Sequence, residues 1–148
     1  MTLWLYLVAS IALGVVIAMQ PLMNAVLARA IGSPYGAAGI SIAVALVGAI
    51  AIMAVAGRGD MSRANLVAVP WWIYLAGFAG TAFVAGGVVI APVTGALLFF
   101  LCVIAGSLFG AAIADHLGAF GLEVRPVSLA RLAGIGLVLA GVVLVRNG

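Results

Sequence analysis

The stretch WWIYLAGFAGTAFVAGGVVIAPVTGALLFFLCVIAGSLFGAAIA, residues 71–114, decides the fold. Its 44 residues include no Asp, Glu, Lys, Arg or His. As one helix it would run about 66 Å, more than twice the hydrocarbon thickness of a bilayer. It must therefore be broken. Pro92-Val93-Thr94-Gly95 is the only strong breaker in it, which predicts a tight hairpin between two membrane spans, about 71–91 and 94–114.

Working outward from this stretch gives three more spans. Upstream, Pro70-Trp71-Trp72 opens the third span, and the Trp pair with Tyr74 suits the headgroup layer. Before it lies the longest polar connection, which starts at Gly57-Arg58-Gly59-Asp60 and runs to Val69. The second span is about 35–56, with Ser33 expected as its N-cap and Pro34 at its first helical position. The first span is about 3–28, ends at Arg29 and is interrupted by Pro21. Its start, Met1-Thr2-Leu3-Trp4, lacks the basic region of a secretory signal, so it is expected to be retained. Downstream, Asp115 to Val127 is a connection, and the fifth span is about 128–145. The expected fold is all-α: one integral membrane domain, 1–148, of five transmembrane helices.

Composition agrees. Of the 148 residues, 68% are hydrophobic and only 6% are charged, and mean hydropathy is +1.44. A soluble domain of this size carries about a quarter of its residues charged, so a soluble enzyme is excluded, as is a disordered chain. The net charge of +3 comes from six scattered Arg residues that form no patch, so no nucleic acid is expected as a partner. One His and the lone Cys102 make neither a metal site nor a thiol catalyst. No metal, cofactor or enzyme signature is read from the chain.

Polar residues are so scarce that the candidate sites are few. Gln20 and Asn24 are i,i+4 and share a helix face with Ile17. Pro21 has no N–H to give the Ile17 carbonyl. These groups read as a substrate- or ion-coordinating site on a kinked helix, or equally as hydrogen-bonded glue between helices. Asp115 and His116 are adjacent titratable groups near a membrane boundary. They read as a proton relay or, the reading favoured here, as an ordinary helix end. Gly106 and Gly110 form a GxxxG, Gly134 and Gly141 lie a heptad apart, and Ala37, Ser41 and Ala45 form a small-residue stripe. All are expected to serve close helix packing, within the bundle before between chains.

Five spans put the two termini on opposite sides of the membrane. Arg58, Arg63, Arg125 and Arg131 then fall on the N-terminal side, and Arg29 and Arg146 on the other. This bias favours an N-terminus inside, but weakly. There is no internal repeat, so one chain lacks the inverted duplication of many transporters.

Several segments resemble the YdcZ-like family of small inner-membrane proteins of the drug/metabolite transporter superfamily. They are Gly14, Gln20, Asn24-Ala25, Leu27-Ala28-Arg29, Gly32-Ser33-Pro34, Pro70-Trp71-Trp72 and Tyr74-Leu75-Ala76-Gly77, then Asp115-His116-Leu117-Gly118, Arg125-Pro126 and Arg131-Leu132-Ala133-Gly134. The resemblance implies a bacterial inner-membrane protein of five helices that pairs antiparallel, with a small organic solute as cargo. Small multidrug-resistance relatives place a Glu in the first span, whereas this chain has Gln20 and Asn24 there and no acidic residue. The functional expectation is secondary-active export through a midplane cavity of an antiparallel homodimer, each orientation supplied by the same chain. A dual-topology ion channel and an accessory membrane subunit are the alternatives.

Overall fold

The computed structural model describes residues 2–121 and 123–148, and every regular element among them is helical. The long helices are α1 (Thr2–Ile31), α2 (Pro34–Ala56), α4 (Ala76–Thr94), α5 (Ala96–Leu117) and α6 (Leu129–Asn147), with a short α3 (Arg63–Ala68) between α2 and α4. A 3-10 turn, Trp71–Leu75, leads into α4, and another, Ala119–Gly121, follows α5. Five segments are long and apolar enough to cross a membrane, the third combining the Trp71 turn with α4. The chain forms two compact units, one running to Val93 and one from Thr94 to Gly148.

In the first unit, α1 and α2 are joined by a two-residue turn. Gly32 adopts φ +68, and the Ser33 N–H donates to the Ala28 carbonyl at 3.1 Å, closing α1. The Ser33 hydroxyl then accepts from the Gly36 N–H at 3.0 Å and opens α2. So short a turn makes α1 and α2 antiparallel neighbours. Pro21, Asn24, Ala25 and Ala28, spaced i, i+3, i+4 and i+7, form the buried face of α1. Ala37 and Ala38 of α2 and Val88 of α4 complete a core with Ala28, flanked by Leu27, Val84 and Ala85. Most of these side chains are small, so backbones can approach closely, the packing mode that works where lipid gives no hydrophobic drive.

Pro21 lies inside α1 without ending it. It is the largest fully buried side chain among the described residues. A ring there costs a helix hydrogen bond, and burial against neighbouring helices offsets that cost. Pro92 is exposed, yet α4 also continues through it to Thr94. The break between α4 and α5 is the single residue Gly95, at φ 80 and ψ 150. The breaker is thus the glycine, whose backbone region is closed to other residues, and not the proline.

Between α2 and α4, Asp60 organises the polar connection. Its carboxylate accepts from the Ser62 N–H at 3.0 Å and the Asn65 amide at 2.8 Å. The Tyr74 hydroxyl donates to the Leu66 carbonyl at 2.7 Å, tying α3 to the aromatic turn. Trp71 and Trp72 remain exposed, as headgroup anchors require.

In the second unit, α5 ends at Gly118 in the left-handed region, and Ser128 caps α6 by accepting from the Arg131 N–H at 3.3 Å. Leu122, in the connection between them, lies outside the described residues.

The Gly32 turn gives a direct test. Gly32→Ala forces a Cβ into the left-handed region at a cost of about 1–2 kcal/mol. It should lower the thermal unfolding midpoint of the detergent-solubilised protein. Gly14→Ala, where an added Cβ meets nothing within 4 Å, should leave the midpoint unchanged or raise it.

Candidate functional site

Gln20 and Asn24 project from α1 toward a hydroxyl on α2. The Asn24 amide donates to Ser41 Oγ at 3.1 Å and the Gln20 amide donates to the same atom at 3.4 Å. Asn24 is buried, and Gln20 and Ser41 are half-buried. Neither carboxamide oxygen accepts a hydrogen bond among the described residues, and neither is sealed from its surroundings. The Ser41 hydroxyl proton also remains available to donate. The cluster therefore presents two carbonyl acceptors and three donors, the Ser41 hydroxyl and the second N–H of each amide, with no formal charge.

These groups line an open groove of about 410 Å³ between α1 and α2. Its remaining walls are apolar, among them Ile17, Met23, Leu27 and Val44. Ile17 is expected through its carbonyl, and Pro21, one turn on, has no N–H to give it. A concave apolar surface with a few convergent polar groups is the usual form of a small-molecule site.

Ser41 is the residue that sequence reading missed. The pattern Ala37, Ser41, Ala45 reads as a stripe of small packing residues. Ala37 is indeed buried, but Ala45 is exposed and Ser41 is the polar partner of both amides. The available signal was that Ser41 is the only Ser or Thr within α2, the other nearby serine being the cap.

The second unit holds the other polar constellation. Asp115 does not pair with His116. Its carboxylate accepts from Arg131 Nη1 at 3.4 Å, and its backbone carbonyl accepts from the Arg125 N–H at 2.8 Å. Arg131 Nη1 also donates to the Arg125 carbonyl at 3.3 Å. His116 Nδ1 accepts from the Val127 N–H at 3.4 Å, so the ring caps the connection into α6. The pair sits at one end of a groove of about 500 Å³ lined by Leu108, Ala112 and Gly134, among others.

The four glycines expected to pack helices make no close approach. A Cβ added at Gly106, Gly110, Gly134 or Gly141 meets no heavy atom within 4 Å. Cys102 is a free, exposed thiol. No group of three or more His, Cys, Asp or Glu residues able to hold a metal ion occurs among the described residues.

A family model described as "Putative inner membrane exporter, YdcZ" matches residues 5–144. The chain belongs to this family. Membership and the five membrane-capable helices make it a multi-pass inner-membrane protein. The YdcZ description is that of an exporter, which is a transporter. Comparison with curated proteins returned no match, and comparison with solved structures returned none either. The match spans both units, so the Gln20–Asn24–Ser41 groove and the Asp115–Arg131 pair both lie within the YdcZ region.

The two polar sites should differ in energy. A double-mutant cycle of Asn24→Ala with Ser41→Ala, read by unfolding in detergent, should give a coupling of about 0.6–1.7 kcal/mol. The Asp115–Arg131 side chains are 36% and 40% exposed. The same cycle on Asp115→Asn and Arg131→Gln should give about 0.2–1 kcal/mol, falling with salt.

Proposed function

We propose that this YdcZ-family chain exports a small organic solute by secondary transport, working as an antiparallel homodimer. Gln20 and Asn24 of both copies, with Ser41 and the Ile17 carbonyl, would line a midplane cavity. The observation that carries this reading is the convergence of both amides on Ser41 Oγ at the wall of an apolar groove. Glue alone needs no groove, and polar groups at membrane depth commonly mark substrate pathways.

The dimer supplies what one chain lacks. Most large apolar side chains are exposed along all five membrane-capable segments, so lipid or a second copy must cover them. In a two-fold assembly each contact occurs twice. A central α1–α2 groove would give four amides around one solute. Pairing in opposite orientations creates the inverted symmetry that transporters otherwise obtain by duplication, and the weak Arg bias permits it.

Proton exchange, under this reading, runs through Asp115. Protonation of its carboxylate would remove the charged partner of Arg131, leaving it the Arg125 carbonyl, and loosen the α5–α6 contact. His116, held by the Val127 N–H, lies beside it in sequence and is the next group in line.

Flux in proteoliposomes tests the site. Gln20→Ala and Asn24→Ala should each cut saturable solute flux roughly five- to a hundredfold, the range for leaving a buried partner unpaired. Unchanged flux in both removes the proposed site. Asp115→Asn should abolish flux driven by a pH gradient while downhill flux persists. Currents that neither saturate nor show counter-transport would identify a channel instead.

A further inference from the structure

We infer that the α1–α2 groove selects uncharged, hydrogen-bonding solutes over organic cations and anions. This deepens the transport reading above and rests on it for its biological meaning.

The inference starts from what surrounds the groove. Its polar groups are Gln20, Asn24 and Ser41 alone, and the rest of its lining is aliphatic or thioether. Among all residues of α1 and α2 the sole charged side chain is Arg29. Arg29 lies in the last turn of α1 and does not line this groove. A charged solute entering here would leave water and find no counter-ion, a large penalty in a medium of low dielectric. A neutral solute has no such cost.

The orientation of the three groups sharpens the chemical class. One N–H of each amide points at Ser41 Oγ, which leaves Gln20 Oε1 and Asn24 Oδ1 as acceptors and the Ser41 hydroxyl and the second N–H of each amide as donors. A solute carrying both a donor and an acceptor on a planar head, such as a primary amide, matches that set. Ile17, Met23 and Val44 offer apolar wall for its body, and Met adapts to irregular shapes. The expected ligand is therefore a small amphipathic neutral molecule with an amide- or alcohol-like head.

Benzamide, benzoate and benzamidine share one ring and a planar head and differ in charge. Equilibrium dialysis of each against the detergent-purified full chain reads the preference without requiring transport. Benzamide should bind saturably and about tenfold or more tighter than either charged isostere. Ser41→Ala should reduce that preference, and Asn24→Asp should shift the order toward benzamidine. Equal or tighter binding of a charged probe to the wild type overturns the inference, as does the absence of saturable benzamide binding. So does an unchanged order in Asn24→Asp that retains the wild-type unfolding midpoint. The transport reading stands or falls separately, on flux through Gln20→Ala and Asn24→Ala. A charged preference with flux lost in those variants would overturn only the selectivity argued here.

Discussion

Everything in this protein depends on one constraint: a polar group inside hydrocarbon must find its partner within the protein. With 6% of residues charged, the chain meets that constraint mostly by being helical throughout its membrane-capable segments. The exceptions are therefore informative. Pro21 and Pro92 each remove a backbone donor inside a helix. One turn of α1 carries Pro21, Gln20 and Asn24 together, and α2 answers with Ser41. Polar expense is concentrated at this point, on the face by which α1 meets α2.

The packing around that point follows from small side chains. Ala25, Ala28, Ala37 and Ala38 are buried, so α1 and α2 approach closely enough for an amide and a hydroxyl to bond across the gap at 3.1 Å. The Gly32-Ser33 turn sets this register, because Gly32 ends α1 and Ser33 starts α2 within two residues. The rest of the surface is apolar and exposed. Among the described residues the chain's polar groups fall at the Gln20–Asn24–Ser41 cluster, two ion pairs, the connections and single hydroxyls such as Ser10, Thr81 and Ser107 that bond back to their own helix, and its outer faces are left to lipid or to a copy of itself.

Much of this was legible in the sequence. Length arithmetic on residues 71–114 required a break, and the scarcity of charge required a membrane. Ser33 as a cap was readable because its hydroxyl is followed at once by Pro34. Gly95 was harder to assign, since Pro92 is the louder breaker by propensity. The backbone decided otherwise: the helix runs on through Pro92, while only glycine takes the backbone region at residue 95. Ser41 was hidden because periodicity reports which residues share a face on one helix, not which face of another helix they meet. The partner of Asp115 was hidden for the same reason. Its neighbour in sequence is His116, while its partner in space, Arg131, comes from the next helix. The packing glycines were legible as a pattern, and among the described residues each has room for a Cβ.

The central claim is that the Gln20–Asn24–Ser41 groove is an aqueous solute site and not a lipid-facing seam. The most direct measurement replaces Cys102 with Ala, introduces Val44→Cys in the groove wall, and applies a hydrophilic, membrane-impermeant thiol reagent to the protein in bilayers. A Met61→Cys variant, at an exposed position in the polar connection, serves as the reactive control. The account predicts that Val44→Cys is labelled and that excess benzamide slows the labelling. A Val44→Cys that stays unlabelled while the control reacts would contradict it, and would leave the three polar side chains as glue between two helices.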